Sequence, residues 1–197
     1  MFNLIVITPE IDHPHEEQIL HALVRAYSIT IHVRKPNYTE EEYRLYLTQY
    51  ASILSHMVIH EHHSLALEFS VKGIHLKESD RKHVKEIVKD VTLVSTSIHN
   101  IEEAKNLTLP FEYIFYSPLF ESISKENYGS DSSIEALQNI RTALKKNTAI
   151  PIIGLGGIHA GNIVRVKECG FDGAAVLGAI WEHSDPITSF GNIASAL

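Results

Sequence analysis

The chain has 197 residues, of which 44% are hydrophobic and 21% charged, enough for one substantial core and short for two domains. A formal net charge of -7, without a basic stripe, argues against a general nucleic-acid binder. The single Cys169 excludes a disulfide framework, and neither a membrane-span pattern nor a signal-peptide pattern is present. We therefore expect one soluble, cytoplasmic domain over residues 1–197, with no nucleic-acid or membrane partner.

Short apolar segments alternate along the chain with segments of helical periodicity, as where Ile19, Leu20, Leu23 and Val24 recur at helical spacing. In chain order the predicted elements are strand Leu4–Ile7, helix His15–Tyr27, strand Ile29–Val33, helix Thr39–Ile53, strand His56–Glu61, helix Ser64–Phe69, strand Gly73–Leu76, helix Asp80–Lys89, strand Thr92–Thr96, helix Ile101–Leu107, strand Tyr113–Tyr116, loop Ser117–Ser130, helix Ser132–Lys145, strand Ile150–Leu155, helix Ala160–Cys169, strand Gly173–Leu177 and a final helix ending near Ala196.

Eight strand–helix repeats are what a (β/α)8 barrel requires, and roughly 25 residues per repeat makes this a small one. Capping boxes support two of the helix starts, Thr39 with Glu42 and Asn100 with Glu103. An open, doubly wound sheet is the alternative, but uniform repeats without a dominant phosphate loop after the first strand favour closure. We predict an α/β fold that is a single small TIM barrel.

A glycine turn follows the seventh predicted strand. Gly156 and Gly157 let the backbone turn sharply and present bare N–H groups, and the next helix is expected to begin near His159 or Ala160. An ordinary strand-to-helix turn is the alternative interpretation. In such barrels loops seven and eight commonly bind phosphate, which favours a phosphate site built with Val176–Gly178 after the eighth strand.

Polar side chains collect where the other strands end, and in a barrel these ends meet at one mouth. They are His32, Arg34, His60, Glu61, His75, Lys77, Glu78, Asp80, Ser95, Ser97, His99, Ser117, Ser122, Ser124 and Lys125.

Two chemistries suit this set. Arg34 and Lys125 can contact phosphate or pyrophosphate, and Glu61 with Asp80 can hold Mg²⁺. Alternatively, His99 can act as a general acid or base, or several histidines can bind a transition metal.

Simpler interpretations apply to some of these residues. His75, between two apolar residues, is expected to be a hydrogen-bonded barrel histidine rather than a ligand. His62 and His63 are expected in a loop or helix start, and Lys35 and Lys77 can simply be solvated.

The chain resembles the thiamin phosphate synthase and thiazole tautomerase superfamily of small barrels. The matching pieces run in family order from residue 32 to residue 180: His32-Val33-Arg34, Gly73–Leu76 with Asp80, Ser97–Ala104, Ser117–Phe120 with Ser122–Lys125, Ile150-Pro151 with Gly156–Ile158, and Gly170–Val176.

The resemblance implies two activities. In the synthase, a pyrimidine methyl pyrophosphate loses pyrophosphate and the thiazole phosphate nitrogen attacks the carbon. In the tautomerase, a histidine matching His99 moves a proton on a thiazole carboxylate phosphate, without metal.

For the synthase, the resemblance also implies roles for individual residues. Ser97 and Lys125 would be catalytic, Glu61 and Asp80 would hold Mg²⁺, and His99 would be catalytic in the tautomerase. The substrate-binding residues would be His32, Arg34, His60, Ser122, Gly156, Gly157, Val176 and Gly178.

The chain also departs from the family pattern. Synthases usually carry Gln at His32, Asn-Asp at His60-Glu61 and Gly-Gln at Lys77-Glu78, and Pro36 stands where a Lys or Glu is expected. His32 and His99 look more like the tautomerase; the two carboxylates look more like the synthase.

We predict the synthase first. The tautomerase, a non-catalytic binder of thiazole or thiamin phosphates, and a histidine metal enzyme are the alternatives. The sequence leaves open a homodimer and closure of loop 117–130 over substrate.

Overall fold

The computed structural model describes residues 2–83, 91–107, 111–120 and 134–197. Eight parallel strands follow one another around a closed barrel, and the last strand pairs with the first, which confirms the predicted (β/α)8 fold. The strands are β1 Asn3–Ile7, β2 Thr30–Val33, β3 Met57–Ile59, β4 Gly73–Leu76, β5 Val94–Ile98, β6 Tyr113–Tyr116, β7 Ile152–Leu155 and β8 Gly173–Val176.

Helices follow the strands and cover the outside of the barrel. They are Glu16–Ala26, Glu40–Gln49, Leu65–Glu68, Ile101–Lys105, Ile134–Asn147, Ile163–Glu168, Gly178–Trp181 and Pro186–Ser195, with 3-10 turns at Leu54–His56 and Glu78–His83. Among the described residues, none of these helices is both long and apolar enough to cross a membrane.

Side chains cap both predicted helix starts, with the full capping box at Thr39 and only the Asn100 half of it at Asn100. The Thr39 hydroxyl accepts a hydrogen bond from the Glu42 N–H, while the Glu42 carboxylate accepts one from the Thr39 N–H at 2.7 Å. The Asn100 side chain accepts from the Glu103 N–H at 3.0 Å. These caps satisfy N–H groups that a helix start leaves unpaired.

The fifth strand differs from its prediction by two residues. It runs over Val94–Ile98 rather than Thr92–Thr96, so Ser97 lies inside the strand and not after it. Because Ser95, Thr96 and Ser97 are polar, the strand lacks the continuous apolar run from which a buried strand is predicted. Thr96 is buried nevertheless, because its hydroxyl donates to the Leu76 carbonyl of β4 at 2.7 Å.

Other predicted boundaries also differ from the structure. The third strand ends at Ile59, which leaves His60 and Glu61 in the loop that follows. The predicted helix Asp80–Lys89 begins as the 3-10 turn Glu78–His83, and its remainder lies outside the described residues. Residues 121–130 of the predicted long loop also lie outside them.

The core has two layers, and one of them is unusual. A large cluster packs between sheet and helices, while a smaller one fills the barrel with Ile5, Ile7, Val58, Phe115 and neighbouring side chains. Histidines occupy part of the barrel interior where branched apolar residues usually pack. The barrel therefore carries polar groups at its centre that need hydrogen-bond partners.

Gly73 gives a test of barrel packing. A Cβ atom added at Gly73 would collide with the Leu93 carbonyl oxygen and lie 2.7 Å from Leu93 Cβ. We expect Gly73→Ala to lower the free energy of unfolding by roughly 1–3 kcal/mol or more, measured by urea unfolding. Gly191→Ala is the matched control, because Gly191 lies in helix Pro186–Ser195 and a Cβ there meets only the Tyr27 hydroxyl, at 3.2 Å. Equal stability of both variants would contradict this account.

Candidate functional site

A cavity of about 370 Å³ opens at the carboxyl ends of the strands. It brings together four residues that the sequence predicts in the site, Arg34, His60, Ser97 and His99, although they lie on three different strand–loop units. The whole lining is Ile7, Arg34, His60, His75, Lys77, Glu78, Ser97, His99, Phe115, Ser117, Leu155 and Leu177. We call this the mouth cavity.

A second cavity, of about 340 Å³, lies beside the first and contains the predicted phosphate residues. We call it the glycine cavity, because Gly156, Gly157 and Gly178 form part of its wall. It is also lined by Val176, and by Ser117, Leu155 and Leu177, which line the mouth cavity as well. The two cavities therefore share a wall and can hold two parts of one reacting system.

The glycine turn has the backbone that its sequence predicts. Gly156 and Gly157 have φ values of 104° and 62°, which favour glycine. The following helix begins at Ile163, not Ala160, because Asn162 closes the intervening turn: its side chain donates to the Gly157 carbonyl and accepts from the His159 N–H. A helix N-terminus thus does not follow this turn directly.

The short helix Gly178–Trp181 supplies the helix start beside the glycine cavity instead. The first N–H groups of a helix have no acceptor within it, so they can bind an anion. The Glu182 carboxylate also lines this cavity, and a Cβ at Gly178 would lie 3.0 Å from its Oε1 atom. A phosphate group there requires this exposed side chain to turn away.

Arg34 reaches the mouth cavity with its guanidinium already paired. Its Nη1 atom donates to the Glu10 carboxylate, and the two side chains are 40% and 45% exposed. Ion pairs this exposed contribute little, so an anionic substrate can compete for the guanidinium.

The two predicted metal ligands both act on the pKa of His63. Burial lowers the pKa of His63, whereas the negative charges of Asp80 and Glu61 raise it. Glu61 Oε2 accepts from the Lys35 N–H at 3.1 Å. Its buried Oε1 has no hydrogen bond but lies 3.3 Å from the Lys77 ammonium. This geometry is an ion pair without hydrogen-bond alignment, so Lys77 is paired rather than simply solvated.

The carboxylates fit a Mg²⁺ ion in one respect and resist it in another. Glu61 Oε1 is a buried anionic oxygen without a hydrogen bond, which suits a hard cation. The Lys77 ammonium competes for the same oxygen. Because the Lys77 side chain is 53% exposed, it can move away when an ion binds.

Lys35 is not solvated, so that interpretation of the sequence is wrong. Its side chain is fully buried, with its ammonium 2.9 Å from Glu16 Oε2 and 3.3 Å from Asp12 Oδ1. The ammonium also lies over the rings of Tyr38 and Tyr46. Burying a lysine requires an anionic partner, and only the fold brings Glu16 to it.

His99 has a defined tautomer. Its Nδ1 atom lies 2.9 Å from the Ser117 carbonyl oxygen, which can only accept, so Nδ1 carries the proton. In the neutral imidazole, Nε2 is then the nitrogen without a proton. Because His99 lines the mouth cavity, this nitrogen is available as a base.

Three histidines meet in the barrel interior. His32 Nδ1 lies 2.8 Å from His60 Nε2, and the rings of His60 and His75 stack with centroids 4.2 Å apart. His75 is hydrogen-bonded, as the sequence predicts. Its Nδ1 atom lies 2.9 Å from the Ser95 hydroxyl and its Nε2 atom 2.9 Å from the Ser97 hydroxyl. His32 lies behind His60, with no exposed surface.

Tyr113 is the residue in this group that sequence reasoning missed. Its hydroxyl lies 2.5 Å from His32 Nε2 and completes a chain from His60 through His32. Tyr113 on β6 pairs with Ser95 on β5, and paired residues of neighbouring strands point to the same side of the sheet. This pairing could have placed Tyr113 in the barrel interior.

The environment keeps these histidines neutral. Burial lowers the pKa of His32 and His60 well below the usual value, and neighbouring positive groups add to the effect. Burial also lowers the pKa of His75, to about 3. Neutral imidazoles retain a lone pair on one nitrogen each.

The remaining predicted residues, Ser122 and Lys125, lie outside the described residues.

The described geometry defines a small (β/α)8-barrel protein. Its candidate site lies at the carboxyl ends of the strands and consists of two joined cavities.

Comparison with known proteins identifies the family. The model of the thiamine monophosphate synthase family matches residues 4–180. A thiamine-phosphate synthase of Albidiferax ferrireducens is 30% identical over 133 residues, which are 66% of this chain and 59% of that protein. One of Listeria monocytogenes is 32% identical, over 65% of this chain and 60% of that protein. The chain belongs to the thiamine monophosphate synthase family.

Solved structures agree with this assignment. A thiamine phosphate pyrophosphorylase from Bacteroides thetaiotaomicron is 29% identical, with a TM-score of 0.80 over 99% of this chain and 97% of that one. A second, from Pyrococcus furiosus, is 20% identical with a TM-score of 0.81, over 99% and 95% of the two chains, and supports the fold. The chain spans about 60% of the length of the curated relatives that it matches.

The neutral histidines predict a dependence of stability on pH. In the unfolded chain an imidazole titrates near a pKa of about 6.5, so below that pH the unfolded chain binds protons that the folded chain excludes. The free energy of unfolding should therefore fall as the pH falls from about 6.5 to 5, by up to about 4 kcal/mol per pH unit for three histidines.

Urea unfolding across this pH range measures the effect. His15→Asn is the control, because His15 is exposed and Asn tolerates its positive φ of 64°. The control should retain the full slope. A free energy of unfolding that stays constant over this range would contradict burial of neutral histidines.

Proposed function

We propose that the chain catalyses the reaction for which its relatives are named, the synthesis of thiamin phosphate. Hydroxymethylpyrimidine pyrophosphate would supply the pyrimidine and thiazole phosphate the nucleophile. The observation that carries the proposal is the pair of cavities sharing Ser117, Leu155 and Leu177. A transfer between two substrates requires two adjoining binding regions, and one of these regions is suited to phosphate.

The glycine cavity suits the thiazole phosphate. Backbone N–H groups of the Gly156-Gly157 turn and of the helix start at Gly178 would contact the phosphate oxygens. The shared wall then directs the thiazole ring toward the mouth cavity, where its nitrogen can meet the pyrimidine.

The mouth cavity suits the pyrimidine pyrophosphate. In the reaction the bond between the pyrimidine methylene carbon and the pyrophosphate oxygen breaks, and its electron pair leaves with pyrophosphate. The thiazole nitrogen lone pair forms the new carbon–nitrogen bond. Arg34 and Lys77, both lining this cavity, would stabilise the charge of the leaving group, together with Lys125.

Glu61 and Asp80 would hold Mg²⁺ in this proposal, once the Lys77 ammonium has left Glu61 for the pyrophosphate. When bound, the ion supplies positive charge to the pyrophosphate oxygens. The cytoplasmic location, the single-domain organisation and a homodimer stay predictions of the sequence.

A second candidate is the tautomerase, favoured by one observation. Nδ1 of His99 is held by the Ser117 carbonyl, so the unprotonated Nε2 is available in the mouth cavity to remove a proton from a thiazole carboxylate phosphate. That reaction uses the glycine cavity in the same way and needs no pyrophosphate.

The synthase proposal is tested with purified protein, both substrates and Mg²⁺, with product measured by chromatography. We expect thiamin phosphate to form, and Arg34→Met to lower kcat/KM by roughly 10- to 100-fold through loss of charged hydrogen bonds. Arg44→Met is the control, since Arg44 pairs with Glu40 and Glu68 away from both cavities. No product at any Mg²⁺ concentration would refute the proposal.

Two variants separate the candidate reactions. For a synthase, Glu61→Gln should raise the Mg²⁺ concentration needed for half-maximal activity, while His99→Gln retains most of the turnover. For a tautomerase, His99→Gln should lower proton exchange on the thiazole carboxylate phosphate by about 10²- to 10⁴-fold, and Glu61→Gln should have little effect. Exchange is followed by NMR in deuterated water, and equal losses in both variants would contradict the tautomerase.

A further inference from the structure

The three interior histidines come from three consecutive strand–loop units and converge on one point. One nitrogen of each ring of His32, His60 and His75 lies within 4.8 Å of the others. Within the described residues, they form the one group of three or more metal-ligating side chains at this spacing. All three are buried, with exposed fractions of 0%, 6% and 4%.

We propose that His32, His60 and His75 form a site for one divalent transition-metal ion of the Zn²⁺ type. Imidazole nitrogen suits Zn²⁺, Cu²⁺, Fe²⁺ and Ni²⁺, whereas Mg²⁺ prefers oxygen ligands. The site is therefore distinct from the carboxylate pair Glu61 and Asp80. Its binding does not depend on which reaction the barrel catalyses.

Two of the donor atoms need only a small movement, and the third, within 4.8 Å of them, must move closer. With Zn–N distances of 2.0–2.1 Å, tetrahedral coordination separates two nitrogens by about 3.3 Å. His32 Nδ1 and His60 Nε2 are now 2.8 Å apart, so they must separate by about half an ångström. One proton lies between them in the metal-free protein, and moving it to the far nitrogen of the ring that carries it frees both lone pairs.

The surroundings already orient these rings as the outer partners of metal ligands do. With Nδ1 bound to metal, His32 carries its proton on Nε2, where the Tyr113 hydroxyl can accept it. Ser95 and Ser97 hold the ring of His75 from both nitrogens, and one of these hydrogen bonds would give way to the metal. Such partners fix tautomer and ring orientation in protein metal sites.

An ion can reach the site from the mouth cavity. His60 and His75 line that cavity and His32 is buried behind them, so a fourth coordination position would face the cavity. Three protein ligands with an open position are the arrangement of catalytic rather than structural zinc sites.

The charge of the ion needs compensation. Arg34, Lys77 and Arg81 act on His75 as positive charges, so a dication at this point is opposed by its surroundings. An anion at the open position, hydroxide or a substrate phosphate oxygen, would offset this. We therefore expect phosphate-containing ligands and the metal to bind more tightly together than separately.

The experiment uses the whole chain without a histidine tag, freed of metal by chelation. Equilibrium dialysis against Zn²⁺ followed by elemental analysis should give one ion per chain. Co²⁺ should produce the visible absorption band of a tetrahedral nitrogen site. His60→Gln should weaken Zn²⁺ binding by more than about 100-fold, and Tyr113→Phe by about 10- to 100-fold.

His15→Asn is the matched control, because it removes an exposed histidine from the outside of the barrel and should leave metal binding unchanged. The proposal is overturned if the wild-type chain gives neither one bound equivalent nor the Co²⁺ band. It is also overturned if folded His60→Gln binds as tightly as wild type, which would mean surface binding only. Should His60→Gln fail to fold by circular dichroism, the wild-type Co²⁺ spectrum alone decides.

Discussion

Closure of the barrel by pairing of β1 with β8 is the constraint on which the site depends. Asn3 pairs with Gly173, where a side chain would collide with the Asn3 carbonyl, and Trp181 Nε1 donates to the Ile7 carbonyl at 2.7 Å across the same seam. Closure brings the carboxyl ends of all eight strands to one mouth. Residues as distant as Arg34 and Leu177 thereby line a single cavity.

The same closure creates an interior that must be filled, and this chain fills part of it with imidazole. Where most such barrels pack branched apolar residues, the rings of His60 and His75 stack and His32 meets both of them edge-on. The rings of His32 and His75 also contact Phe115. Their polar atoms are satisfied by Tyr113, Ser95 and Ser97, so the cost of burying them is largely offset. The cluster has two consequences at once, a sensitivity to acid and a set of donors suited to a transition metal.

The glycine cavity serves every candidate reaction, whereas the mouth cavity holds the residues that distinguish these reactions. The glycine cavity suits phosphate whichever reaction occurs. Across the shared wall, the Lys77–Glu61 pair and the base at His99 Nε2 favour different chemistry. The Lys77 ammonium occupies the position beside Glu61 that a magnesium ion would need, so metal and lysine are alternatives at this carboxylate.

By itself the sequence determined what depends on neighbouring residues along the chain. The repeat count predicted the barrel, Thr39 and Asn100 predicted helix starts, and the pair Gly156-Gly157 predicted the turn, where both residues have positive φ. Only the tertiary structure decided what depends on side chains distant in the chain. His32 meets His60 across 28 residues, and Lys35 is buried against Glu16 across 19. Closure of the barrel decides which face of each strand points inward, and helix packing decides what meets on the outside. Neither is encoded by a pattern of neighbouring residues.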